Sequence, residues 1–198
     1  MTLNPILLDI PEAFETERLV IRAPRFGDGA ELSAAVCESL DSLRPWMAWA
    51  QQAPTPDESE EYSRRDRARF LGREELGLRL WLKGAETLVG SSGLHRIDWS
   101  VPLFEVGFWC RKRFEGQGYI TEAVNGITRF AFETLKAERV EIRCDALNRR
   151  SAAVAQRAGY TLEATLRRDS RGVSGDLRDT LLFATIHADY NSGVGSKE

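Results

Sequence analysis

Residues 104–132 read FEVGFWCRKRFEGQGYITEAVNGITRFAF. The opening run, from Phe104 to Cys110, is apolar and aromatic with a single carboxylate, Glu105, a composition that predicts a strand. The next run, Arg111-Lys112-Arg113-Phe114-Glu115-Gly116-Gln117-Gly118, is basic and broken by two glycines. Beyond it Ile120, Val124, Ile127, Ala131 and Leu135 recur at helical spacing, and Ala123 and Phe130 widen the same face. The spacing therefore predicts a strand that runs through a cationic glycine loop into an amphipathic helix.

That order suits an anion. Glycines let backbone N–H groups turn toward one point without a Cβ in the way. The following helix adds its unpaired N–H groups and the positive end of its dipole. A diphosphate fits such a place. The spacing is Arg113-x-x-Gly116-x-Gly118, which is neither the G-x-G-x-x-G of dinucleotide folds nor the G-x-x-x-x-G-K-[ST] of NTPases.

Set between a strand and a helix, Arg113-x-x-Gly116-x-Gly118 resembles the acetyl-CoA pyrophosphate signature of GNAT N-acetyltransferases. The longer phrase GFWCRKRFEGQGYITEA resembles the RimJ/RimL-type branch, which includes ribosomal-protein N-terminal acetyltransferases. Two further segments are similar to that branch. One is Thr16-Glu17-Arg18-Leu19-Val20-Ile21-Arg22, and the other runs from Asn148 through Ser151 and Val154 to Gly159-Tyr160. The resemblance covers residues 14–187, expected to form one acetyltransferase domain. Residues 1–13 are expected as an N-terminal extension and residues 188–198 as a flexible tail.

Composition agrees with one folded domain. Of 198 residues, 42% are hydrophobic and 29% charged, which separates the chain from disordered classes. A net charge of −3 disfavours a general nucleic-acid binder. No apolar run is long enough for a membrane span. Met1-Thr2-Leu3-Asn4-Pro5 lacks the basic start of a signal peptide. Cys37, Cys110 and Cys144 form neither a disulfide framework nor a zinc pattern, and only His95 and His187 are present. A cytoplasmic setting without a metal is the expectation.

Around the central stretch, residues 14–22 read as a first strand, and Asp28 as the cap of a helix through about Leu40. The segment Leu43-Arg44-Pro45-Trp46-Met47-Ala48-Trp49 is either packing or one wall of an acceptor pocket. Residues 56–75 read as a charged helix, whose Arg64, Arg65, Arg67, Arg69 and Arg73 are taken as a solvated face. Residues 77–83 and 87–97 read as antiparallel strands, with His95 as a structural histidine. Residues 139–145 read as another strand, and Asn148 as the N-cap and Gly159 as the stop of a helix. A closing hairpin is expected over residues 162–168 and 177–186.

The resemblance implies an α/β GNAT fold: a mixed, mostly antiparallel twisted sheet of about seven strands with about four helices. It implies transfer of acetyl from acetyl-CoA to a primary amine by direct attack. Cofactor contacts are then expected from Phe108, Trp109 and Cys110, whose backbone would pair with pantetheine like an added strand. They are also expected from Arg111, Arg113, Phe114, Glu115, Gly116, Gln117, Gly118 and Tyr119 around the diphosphate, and from Asn148 and Ser151. Glu105 is the first candidate base, with a salt-bridge role and Asp169 as alternatives. Ser151 is the candidate acid or an ordinary first-turn serine. A covalent route through Cys110 or Cys144 is set below simple packing of those thiols. The favoured acceptor is a protein N-terminal α-amine. A small-molecule amine (a polyamine, an amino acid derivative or an aminoglycoside), or a non-catalytic acyl-CoA-binding module, stays open, as does a homodimer.

Overall fold

A computed structural model describes residues 4–194. Two short antiparallel strands open it, β1 (Ala13–Glu15) and β2 (Leu19–Arg22). Two helices follow, α1 (Gly29–Leu43) and α2 (Pro56–Gly72), then strands β3 (Leu76–Leu82), β4 (Leu88–Asp98) and β5 (Leu103–Cys110). Helix α3 (Tyr119–Glu133) leads to β6 (Arg139–Asp145), and α4 (Arg149–Arg157) leads to β7 (Thr161–Arg171) and β8 (Leu177–Ile186). Helix α5 (His187–Val194) ends the described chain.

The strands form one eight-stranded sheet in the order β1-β2-β3-β4-β5-β6-β8-β7. The stretch expected as one strand over residues 14–22 folds back on itself as β1 and β2, with Phe14 opposite Ile21. That accounts for the strand beyond the expected seven. The tail expected from residue 188 is corrected in part: α5 continues to Val194, and Tyr190 stacks on Phe132 with centroids 4.8 Å apart. Residues 195–198 lie outside the described residues. The expected extension is tied down as well, since Ile10 is buried in the core.

Every strand pair is antiparallel except β5 with β6. Helix α3 is the crossover that a parallel pair requires. Its predicted apolar face is buried, with Ile120, Ala123, Val124, Ile127 and Ala131 against Phe104, Val106, Val140 and Ile142 of β5 and β6. The other face of the sheet is covered by α1 and α2. Helix α1 supplies Leu32, Val36, Leu40 and Leu43 to a second core with Leu88. Helix α2 buries a polar stripe instead: Ser59, Ser63 and Asp66, ending on Phe70. Asp66 meets the fully buried Arg79 of β3 at 2.9 Å. Gly77 leaves the room for this, because a Cβ there would lie 2.3 Å from the Asp66 carboxylate.

The parallel ladder is short. Leu103, Phe104 and Glu105 pair with Arg139, Val140 and Glu141, and the pairing then stops. Residues 106–110 of β5 continue against β4 alone, and residues 142–145 of β6 continue against β8 alone. The two strands splay apart beyond Glu105.

Ion pairs hold α1 to the end of β5. The Arg111 guanidinium is buried and bonds Glu31 at 2.6 Å and Glu38 at 2.8 Å. Hydrogen bonds from Arg113, reinforced by Arg111 against the cost of partial burial, hold the Glu38 carboxyl down at about 2. A depressed carboxyl stabilises the fold fully above its ordinary value of 4.5, and that contribution is lost as pH falls toward about 2. We therefore expect Glu38→Gln to lower unfolding free energy by roughly 1–3 kcal/mol near neutral pH, mainly by leaving Arg111 short of a partner. In urea titrations the gap from wild type should narrow at about pH 3. A gap that keeps its neutral-pH size would contradict the strut.

Candidate active site

The glycine loop joins β5 to α3 at the mouth of the splay. After a tight turn over Lys112–Phe114, Gly116 and Gly118 adopt φ of 75° and 82°, the left-handed region that favours glycine. A Cβ on Gly116 would meet nothing within 4 Å, and one on Gly118 only Arg18 Nη2 at 3.5 Å. The space above the loop is therefore open to a ligand. Gly118 is the N-cap of α3 and offers no side-chain cap, which leaves the first N–H groups of the helix for an anion.

The basic residues divide. Arg111 is corrected as a side-chain cofactor ligand, since its guanidinium is locked inward on Glu31 and Glu38. Arg113 is exposed at the loop and shares Glu38, with close contacts from Nε and Nη2. Glu115 sits between Lys112 Nζ at 3.2 Å and Arg150 Nη1 at 2.7 Å, which ties the start of α4 to the loop. Arg18 was not among the expected site residues. It lies over the Tyr119 ring at 4.1 Å, donates to the Gln117 carbonyl at 3.0 Å and pairs with Glu122. The Thr-Glu-Arg phrase of the first strand carried that signal.

Phe108, Trp109 and Cys110 lie on the stretch of β5 without a β6 partner. Phe114 packs edge-on against Tyr119 at 5.6 Å between centroids, which shapes the loop from below. Across the opening, Asn148 caps α4 by accepting the Ser151 N–H at 3.1 Å, so Ser151 stands in the first turn of that helix, half-buried. Tyr160, just past α4, is buried and bonded to Thr128 at 2.6 Å, with burial raising its hydroxyl. It belongs to the core.

On the opposite face of the sheet lies a cleft of about 440 Å³. Its walls include Val36 of α1, Trp49 of the following turn, Tyr62 of α2 and His95 of β4, and it ends on Gly107, Phe108 and Trp109. Met47 and Trp49 thus join packing and pocket, with Trp49 tilted 6.2 Å from Trp109. An open groove of about 520 Å³ runs along the outside of α3 from Gly118, lined by Arg18, Glu122, Arg129 and Arg157. The arginines of α2 are engaged on the surface: Arg64 with Glu60, Arg65 with Glu61, Arg67 with Glu12, Arg69 with Glu75.

Glu105 is the last β5 residue paired with β6, and it also faces His95 across β4. Strand alternation puts it on the same side as Gly107 and Trp109, the side of the cleft. Burial raises its carboxyl, opposed first by Arg96, whose guanidinium is 3.4 Å away, and then by Arg143 at 4.0 Å. Arg143 also bonds Asp169 at 2.7 Å, so both candidate bases share one arginine. Burial pushes the Cys110 thiol to about 12 and the Cys144 thiol to about 11, which keeps both protonated at neutral pH.

A profile of the acetyltransferase (GNAT) domain matches residues 18–161. The chain belongs to the GNAT acetyltransferase family. It is therefore an N-acetyltransferase that uses acetyl-CoA. YdaF of Bacillus subtilis (strain 168), provisionally assigned as a ribosomal N-acetyltransferase, is 29% identical over 174 residues, 88% of this chain and 94% of YdaF. The fold matches the microcin C7 self-immunity acetyltransferase MccE in complex with acetyl-CoA and AMP, with a TM-score of 0.82, 21% identity, and coverage of 89% and 97% of the two chains. It also matches the RimL ribosomal L7/L12 α-N-protein acetyltransferase in complex with coenzyme A, with a TM-score of 0.79, 20% identity, and coverage of 89% and 97%. Among the described residues no helix is long and apolar enough to cross a membrane.

The loop geometry yields a test. Gly118→Val forces a β-branched residue into a left-handed φ, at a cost of about 1–2 kcal/mol, and places methyl groups over the N-terminus of α3. We expect a small fall in melting temperature and a loss of acetyl-CoA affinity of about tenfold or more by calorimetry. Unchanged affinity in a folded Gly118→Val protein would reject the loop as the anion site.

Proposed function

We propose that this GNAT enzyme acetylates a protein N-terminal α-amine by direct transfer from acetyl-CoA. One observation carries this reading. The splay beyond Glu105 opens onto the glycine loop on one face of the sheet and onto the aromatic cleft on the other. Two ligands can meet at residues 106–110 from opposite sides. The cleft is open at a rim that includes Trp49, which is 56% exposed, and Tyr62, which is 51% exposed. An extended peptide end can enter there. The name of RimL, an α-N-protein acetyltransferase, supports the same acceptor class.

Acetyl-CoA supplies an activated thioester carbonyl. Gly116, Gly118 and the uncapped start of α3 hold the diphosphate, with Arg113, Glu115, Gln117 and Tyr119 around it. The free edge of β5 at Phe108, Trp109 and Cys110 pairs with the pantetheine amides. One of its N–H groups stabilises the charge that develops on the carbonyl oxygen. Asn148 and Ser151 approach from α4. Glu105 takes a proton from the attacking nitrogen, and the Ser151 hydroxyl gives one to the departing sulfur. The cysteines, held as thiols, take no covalent part.

Initial-rate lines with acetyl-CoA and an N-terminal peptide should intersect, and mass spectrometry should find no acetylated enzyme without acceptor. Glu105→Gln should lower kcat about a hundredfold near neutral pH, recovering in part at high pH as free amine accumulates. Wild-type kcat should itself fall as pH drops through the raised Glu105 value, because the carboxylate must be ionised to accept a proton. Parallel lines with an acetyl adduct on Cys110 or Cys144 would overturn direct transfer. Turnover of a polyamine but of no peptide would assign the cleft to small amines.

A further inference from the structure

We propose that His95 is a second proton acceptor of this site, which deprotonates the incoming ammonium before it attacks. The inference rests on the acetyl-transfer reading above and adds a residue to it. Its chemical basis is a count of protons. A primary ammonium carries three N–H bonds and the amide product keeps one, so two protons must leave the nitrogen. The first must leave before attack, since only then does nitrogen hold a lone pair. The second leaves after the N–C bond has formed. One carboxylate at the vertex serves one of these steps at a time.

The sheet places two acceptors side by side. His95 and Glu105 are direct cross-strand partners on β4 and β5, and both point to the face that carries the cleft. His95 lines the cleft and Glu105 sits at the vertex of the splay. The imidazole lies against Gly107, where a Cβ would fall 3.1 Å from its Cδ2 and 3.3 Å from its Nε2. Glycine at 107 is what lets the ring reach over the strand residue next to the opening. The other nitrogen, Nδ1, lies 3.8 Å from Glu75 Oε2, an oxygen that Arg69 also holds at 3.4 Å. Nε2 is the ring nitrogen on the side of Gly107.

The charged surroundings are mixed. Glu75, paired with Arg69, and Glu105, between Arg96 and Arg143, flank the ring, Tyr62 stands at the rim of the cleft, and Asp66 and Arg79 are buried in its wall. Asp66 and Arg79 are paired with one another, which leaves Glu75 and Glu105 as the nearest opposite charges for an imidazolium. The His95 side chain is 35% exposed, so a proton taken from the acceptor can pass to water. The step balances: an N–H bond of the ammonium breaks, its electron pair stays on nitrogen, and the proton moves to Nε2 and then to solvent. Glu105 is left to take the second proton.

The test uses two matched peptides at about pH 7, one with an ordinary α-amine of pKa about 8 and so mostly protonated. In the other, electron-withdrawing fluorines on the first residue keep the amine neutral. With the protonated acceptor, His95→Gln should lower kcat/KM about tenfold to a hundredfold. With the neutral acceptor the loss should stay under about threefold, whereas Glu105→Gln should slow both. If His95→Gln melts early, His95→Ala replaces it, and added imidazole should restore turnover of the protonated peptide only. Equal losses with both peptides, or none with either, would overturn the role of His95 while leaving the acetyl-transfer reading intact. Wild-type enzyme that acetylates neither peptide, yet binds acetyl-CoA, would overturn the acceptor assignment and the role of His95 with it.

Discussion

Everything in the site depends on the end of the β5–β6 ladder after Glu105. Backbone N–H and C=O groups left unpaired inside a protein cost roughly 1–3 kcal/mol each, so a gap in a central sheet does not persist without reason. Here each strand is held from its outer side along the splayed stretch, β5 by β4 and β6 by β8. Helix α3 buries its apolar face across the paired end of both strands. The gap is therefore fixed in place by strong neighbours, and it offers the free strand edge that an amide-bearing ligand can pair with.

Charge is divided according to depth. At the outer end of β5 the buried Arg111 spends its guanidinium on two carboxylates of α1, which fixes the strand end from which the glycine loop departs. The cations left near the loop are exposed ones, Arg113, Lys112 and Arg150, each already leaning on a carboxylate. An arriving diphosphate would compete with Glu38 and Glu115 for them. At the inner end, Glu105 lies between Arg96 and Arg143, whose charges oppose the effect of its burial. The same strand thus carries a structural ion cluster at one end and a carboxyl held between two arginines at the other.

Much of this was legible in the sequence because its signals are local. The β5–loop–α3 unit could be read from Phe104 to Leu135, since strand composition, glycine punctuation and helical period all agree there. Asn148 as N-cap and the strand over residues 139–145 were equally plain. Long-range partners carry no such signal. Arg111 reads as one more loop cation, because Glu31 and Glu38, about two helix turns apart in a part of the chain 73 or more residues away, close on it only in the fold. The turn between β1 and β2 has neither proline nor glycine, so two strands read as one. His95 stands alone in the sequence, and its neighbours Glu75, Glu105 and Gly107 are brought to it only by the sheet.

The central claim is that the splayed edge of β5 and the start of α3 together receive acetyl-CoA. Amide hydrogen exchange, followed with and without acetyl-CoA and with no acceptor present, tests it most directly. The account predicts slowed exchange at two separated places, within residues 106–110 and within residues 118–120, with little change in β1 or β7. Protection confined to residues 121–129 of α3, or none at residues 106–110, would contradict it.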